Sequence, residues 1–97
     1  MKAGEIMIVP AGVEVVPVKH YLKILPEYFE AIISGAKKFE LRKNDRDYQI
    51  GDTVIFREHD GKDFTGRYTQ QVRIEYILTD CPEYGLMDGY CIFGFRG

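Results

Sequence analysis

The stretch PEYFEAIISGAKKFELRK, residues 26–43, combines a helix signal, a stop signal and a strand signal in immediate succession. Pro26 suits the first position of a helix because proline has no backbone N–H to satisfy there. Gly35 favours the left-handed conformation that ends a helix. The sequence therefore predicts a short amphipathic helix over residues 26–34, whose apolar face consists of Phe29, Ile32 and Ile33.

The residues after Gly35 alternate with the period of a β-strand. Phe39 and Leu41 share one parity of the predicted strand, residues 37–43. The other parity is polar and ionised, so this strand has one charged face. The charged parity consists of Lys38, Glu40 and Arg42.

Further strands are predicted on both sides of this unit. Residues 5–9 and 13–18 are rich in Ile and Val and predict an extended N-terminal arm or hairpin. The other predicted strands cover residues 20–25, 53–58, 64–68, 71–79 and 90–95, with Val72, Ile74, Tyr76 and Leu78 on one face of the fourth. Five or six short strands with one helix predict a mostly β, α+β domain: a small β-barrel whose helix plugs or flanks one end.

Length and composition bound the class of protein. The chain has 97 residues and a formal charge of −2, which predicts a single domain over residues 1–97, with residues 1–19 as an arm and residues 20–97 as the core. The chain as a whole is not a polycation, which disfavours bulk coating of duplex DNA, and neither a membrane span nor a signal peptide is predicted. Cys81 and Cys91 are interpreted as packing thiols in a reducing cytoplasm, and His20 as a hydrogen-bonded strand residue. No metal or cofactor is predicted.

Positive charge is concentrated in one short segment. Residues 37–46 carry five cations and two anions, a balance of +3, whereas the rest of the chain carries −5. The segment joins the helix to the strand and a turn, where side chains and backbone donors can converge on one anion. The alternative is a solvated face on which Glu40 and Arg42 form a surface ion pair worth about 0–1 kcal/mol.

The segment also carries a family resemblance. Residues 35–42, GAKKFELR, match the pattern G-x-K-x-x-E-x-R, which resembles the signature of the ASCH domain in the PUA-like superfamily. The flanking stretches HYLKI, PEYFE and FELRKNDRDYQIGD are similar to a small bacterial and phage branch of unknown function. The resemblance covers the chain from about residue 20 onward and is specific up to residue 58.

The resemblance implies a PUA-like β-barrel with a cationic cleft that binds RNA or a nucleotide. In that cleft Lys37 and Arg42 would hold phosphate, because ammonium and guanidinium groups both bind it. Glu40 would accept a hydrogen bond from a base or ribose, or orient Arg42. Lys23 is expected as a third cation on the cleft wall.

The remaining candidates for ligand binding are Asn44, Arg46 and Tyr48. Tyr48, together with Tyr28, is expected to offer a stacking face for a base. Two alternatives stay open: Tyr28 as a helix-packing residue, and Asn44 as a residue that builds its turn. Lys37 reaches Glu40 only if the chain bends after the helix, because strict alternation places the two on opposite faces.

Two other functions are weighed against binding. Some ASCH proteins are amidohydrolases of acylated cytidine nucleosides, in which case Lys37 and Glu40 would be the catalytic pair. Glu40 occupies the position of a catalytic threonine there, and a carboxylate beside a lysine disfavours the neutral amine that attack requires. The other function is that of a protein-interaction accessory domain, whose N-terminal arm pairs with a partner strand.

Overall fold

A computed structural model describes residues 16–97 as a mixed β-sheet with one helix. The strands are β1 (Lys19–Ile24), β2 (Phe39–Lys43), β3 (Thr53–His59), β4 (Phe64–Tyr68), β5 (Val72–Leu78) and β6 (Tyr90–Arg96). Helix α1 spans Pro26–Ile33, and a 3₁₀ turn spans Pro82–Tyr84. The prediction of a mostly β domain with one short helix is confirmed.

The six strands form one sheet in the order β1-β3-β5-β6-β2. β5 pairs with the first residues of β3, and β4 pairs with its last residues. β1 runs parallel to β3, and every other pairing is antiparallel. β1 and β2 are the two ends of this order, and no backbone ladder of residues 16–97 joins them. The sheet is therefore not closed into a barrel.

The junction between α1 and β2 brings the motif residues together. Gly35 adopts a φ of +83°, the left-handed value at which a helix ends and which glycine tolerates best. The Lys37 amide then donates to the Ala31 carbonyl (2.9 Å), so the chain folds back along the last turn of α1. β2 begins only at Phe39. The predicted bend is confirmed, and it frees Lys37 from the alternation of the strand.

The core lies between α1 and the inner face of the sheet. Phe29 and Ile32 are buried as predicted, whereas Ile33 is half exposed. Val54, Phe56 and Phe93 supply the centre of the core, and both cysteines are buried free thiols. A hydrophobic core of this kind is the main source of folding stability.

β5 departs from strict alternation, and the predicted placement of Tyr76 and Leu78 on the same face as Val72 and Ile74 is wrong for that reason. Ile74 pairs with Phe95 but Tyr76 pairs with Gly94, so β5 contains one extra residue at this point. Such a bulge moves all later side chains to the opposite face. Tyr76 is consequently exposed, and Ile77 takes the buried position instead.

Two expectations have a different outcome. The N-terminal arm or hairpin falls largely on residues 1–15, which lie outside the described part of the chain. Across residues 16–97, no helix has the length and apolar character needed to cross a membrane.

Candidate functional site

Three motif residues meet around one carboxylate and form what we call the Glu40 cluster: Lys37, Glu40 and Arg42. The Lys37 Nζ lies 2.5 Å from Glu40 Oε1, and the Arg42 Nε donates to Glu40 Oε2 at 2.9 Å. The side chain of Glu40 is only 10% exposed. Each carboxylate oxygen thus binds one cation, and the cluster keeps a net charge of +1.

The charged face of β2 points inward. Glu40 is buried, whereas Phe39 and Leu41 are exposed by more than half. The interpretation of Glu40 and Arg42 as a surface ion pair is therefore wrong. A carboxylate removed from water in this way requires partners that replace its hydration, and Lys37 and Arg42 fill that role.

The Lys37 Nζ makes two hydrogen bonds and lies close to two aromatic rings. Besides Glu40, its Nζ donates to the Phe39 carbonyl at 2.6 Å and lies 5.8 Å from the centre of the Tyr28 ring and 5.2 Å from that of Phe39. A nucleophilic amine needs an unprotonated nitrogen with a free lone pair. These contacts instead suit a cation that is held in place between two exposed aromatic rings.

Two arginines reach from the β2 side to the open edge of β1. The Arg42 Nη2 donates to the Lys23 carbonyl, and the Arg46 Nη1 donates to the Tyr21 carbonyl at 3.4 Å. Side chains thereby bridge the gap between β1 and β2, which we call the seam. Lys23 takes part in the seam through its backbone carbonyl, and its side chain lies in an exposed position of β1.

Asn44 and Tyr48 belong to the turn after β2 and not to an open binding surface. The Asn44 side-chain oxygen accepts from the Tyr48 backbone N–H at 3.4 Å, and the Asn44 backbone N–H donates to the Gly89 carbonyl. Tyr48 is only 2% exposed and packs against His20 and Phe93. Its ring is therefore closed to a base, which corrects the expectation of a stacking face. Tyr28, in contrast, is 47% exposed.

The Tyr48 hydroxyl is buried without a hydrogen-bond partner among the described residues. Burial raises the pKa of Tyr48 above its ordinary value of 10.0, and the positive charges of Arg42 and Arg46 oppose that rise. An unpaired buried hydroxyl costs about 1–3 kcal/mol of desolvation.

We expect Tyr48→Phe to raise the free energy of unfolding by about 1 kcal/mol, because the variant removes this unpaired group.

The raised pKa of Tyr48 predicts a pH dependence of stability. Above about pH 10 the unfolded chain loses the Tyr48 proton while the folded chain keeps it, so the stability of the wild type falls with rising pH. Urea unfolding between pH 8 and pH 11 measures both effects, and equal alkaline slopes in the two proteins contradict the second.

A groove beside α1, which we call the α1 groove, is lined by several positively charged side chains. It has a volume of about 420 Å³ and is lined by Lys37, Lys38 and Arg96. Ile32, Val72 and Phe95 supply apolar walls, and no acidic side chain lines it. Sequence reasoning missed Arg96 because this residue lies far from the motif. The antiparallel pairing of β6 with β2 brings it next to the motif.

Beneath the seam, Asp52 fixes the start of β3 to the start of β1. Its carboxylate accepts from His20 Nε2 at 2.8 Å and from the amides of Val18 and Gln49 at 3.0 Å each. Both the His20 and the Asp52 side chains are 5% exposed. The interpretation of His20 as a hydrogen-bonded strand residue is confirmed.

Comparison with known proteins places the chain in a family without assigning a role to it. Over 64 residues it is 39% identical to an uncharacterized 12.9 kDa protein in the GpA 3′ region of Escherichia phage P2, a match that covers 66% of this chain and 54% of the phage protein. The chain thus spans about half the length of this curated relative. The family model described as a domain of unknown function (DUF3850) matches residues 19–95. The chain therefore belongs to the DUF3850 family.

Proposed function

We propose that this domain binds RNA or a nucleotide, with the phosphate held in the α1 groove. The observation that supports this proposal best is the set of three cations, Lys37, Lys38 and Arg96, around an apolar groove free of acidic side chains. Its volume of about 420 Å³ falls in the range of small-ligand pockets, about 300–1,000 Å³.

The three cations have different parts in this proposal. Lys38 and Arg96 are exposed and meet the phosphate directly, since neither has an ion pair with a described acidic residue. Lys37 is held by Glu40 and keeps one N–H donor for the ligand. Glu40 and Arg42 then act as positioning residues. The apolar walls, Ile32, Val72 and Phe95, accommodate a base or a ribose.

We also propose that the domain is an ASCH-type member of the PUA-like superfamily. In this view the open sheet is a barrel whose last pairing, between β1 and β2, is made by side chains. The bridges from Arg42 to Lys23 and from Arg46 to Tyr21 support this view, because they span the gap that a closed barrel would fill with a ladder.

We expect the wild-type protein to bind a ten-nucleotide single-stranded RNA, with an affinity that falls as salt is added. The slope of log affinity against log salt concentration should be about −0.7 for each phosphate contacted. Fluorescence anisotropy of a labelled oligonucleotide measures it between 25 and 300 mM salt. A flat response, or the absence of binding at 25 mM salt, contradicts the proposal.

Variants of the α1 groove connect that binding to these residues. We expect Lys38→Ala and Arg96→Ala each to weaken the binding of RNA or of a nucleoside 5′-monophosphate about five- to ten-fold, because each removes one exposed phosphate contact. Lys43→Ala is the matched control, since this lysine is an exposed cation near the end of β2 but does not line the groove. An equal loss in the control would assign the effect to net charge alone. Turnover of an acylated cytidine that Lys37→Ala abolishes would instead favour a hydrolase.

A further inference from the structure

A second surface with the chemistry of nucleic-acid recognition lies on the outer side of β1, β3 and β4. Tyr21 and Tyr68 are 52% and 70% exposed there, and Phe64 is 47% exposed. Tyr21 pairs with Ile55 across β1 and β3, and Tyr68 pairs with Arg57 across β3 and β4. The two tyrosines are therefore two strand spacings apart across the sheet, about 10 Å, and offset by two residues, about 7 Å, along the strands.

These side chains enclose a shallow depression. It has a volume of about 310 Å³, and the residues that line it are Tyr21, Ile55, Arg57 and Tyr68. The Arg57 Cζ lies 4.1 Å from the centre of the Phe64 ring, so its guanidinium is in cation–π contact with an aromatic side chain. The depression thus combines two exposed rings, an apolar floor and one fixed cation.

The charge on this outer face has a single sign. The outward positions of β1 and β3 include Lys19, Lys23 and Arg57, and no acidic residue occupies an outward position of these two strands. Glu58, the acidic residue of β3, points inward and is 4% exposed. A second copy of the same face would bring like charges together, which is unfavourable. An anionic polymer with flat bases is the complementary partner.

We infer that this outer face is a stacking surface for single-stranded nucleic acid, on which bases stack against Tyr21 and Tyr68 while Arg57 contacts the backbone phosphate. Exposed aromatic rings interleaved with cations on a sheet are suited to this role, because every base has a face that can stack. The inference goes beyond the α1 groove: the two surfaces share no lining residue.

The test uses a labelled ten-nucleotide oligo(U) and oligo(dT) with the full chain and its single variants. We expect Tyr21→Ala and Tyr68→Ala each to weaken binding about five- to hundred-fold, as loss of one stacked base does. Tyr68→Phe should retain the affinity of the wild type, because stacking does not need the hydroxyl. Arg57→Gln should lower the salt slope by about 0.7.

Tyr84→Ala is the matched control, since Tyr84 is 87% exposed and lies outside this face. Unchanged affinity in both tyrosine-to-alanine variants, with circular dichroism showing intact folds, overturns the inference. The inference is also overturned if the two tyrosine-to-alanine variants change the oligomeric state measured by sedimentation and lose no oligonucleotide binding. Because stacking does not need the 2′-hydroxyl, we expect oligo(U) and oligo(dT) both to bind, and both to lose affinity in the two tyrosine-to-alanine variants.

The groove and the outer face fail separately. If Lys38→Ala and Arg96→Ala have no effect while the tyrosine variants lose binding, the proposal for the α1 groove is wrong and this inference stands. The reverse result overturns the inference and leaves the groove.

Discussion

Glu40→Gln is expected to lower the free energy of unfolding by about 2–3 kcal/mol. The amide that replaces the carboxylate leaves Lys37 and Arg42 close together, 14% and 24% exposed, without the negative charge that compensates them. Loss of one partner from a fully buried ion pair costs about 3–5 kcal/mol. The loss expected for Glu40→Gln is smaller, about 2–3 kcal/mol, because both cations retain some contact with water. Urea unfolding followed by circular dichroism measures the change.

Glu75→Gln is the matched control for this variant. Glu75 also binds an arginine, with Arg73 Nη2 at 2.9 Å from its Oε1, but this pair is exposed. Its loss is expected to leave the urea midpoint almost unchanged, since solvent already screens such a pair. Equal, small effects of the two variants would show that the Glu40 cluster contributes nothing to folding, and would leave Glu40 only its role in positioning Lys37.

Asp52→Asn is expected to have the largest effect on stability, about 3–4 kcal/mol. Oδ1 of Asp52 accepts from the Val18 amide, and Oδ2 accepts from both Gln49 and His20. Asparagine has only one acceptor oxygen, so its NH₂ group would face an N–H donor whichever way it is turned. The substitution also leaves His20 without an acidic partner among residues 16–97.

Asp47→Asn tests whether position or chemistry causes that loss. Asp47 lies in the same turn region, is exposed, and adopts a φ of 49°, which asparagine tolerates well. We therefore expect the thermal midpoint of this variant to match that of the wild type within error. A loss for Asp52→Asn no greater than that of Asp47→Asn would contradict the anchoring role of Asp52.

Several features of the fold were predictable because they follow from local chemistry. Pro26 and Gly35 bound the helix through constraints that act within one or two residues of each. The strand bounds around β3, β4 and β6 follow from alternation between glycine-containing turns. The meeting of Lys37 with Glu40 was also predictable, because the end of a helix at Gly35 requires the chain to change direction.

Other features depend on long-range pairing that one sequence does not reveal. Alternation in β5 predicts Tyr76 in the core, and only the bulge opposite Gly94 explains why Ile77 is there instead. The charged parity of β2 is typical of a solvated face, yet it points inward because cations from two directions surround Glu40. Arg96 enters the α1 groove through strand order alone. The outward parities of β1 and β3 do contain Tyr21 and Arg57, so alternation was a signal that pointed to the second surface.

The bridged seam also bears on how the protein avoids aggregation. The free edge of β1 presents backbone carbonyls, and an edge of this kind invites strands from other molecules to add to it. Arg42 and Arg46 occupy two of those carbonyls with positively charged groups. A strand from another molecule would have to displace both guanidinium groups before it could pair with β1. The arginines that bridge β1 and β2 therefore also oppose edge-to-edge aggregation.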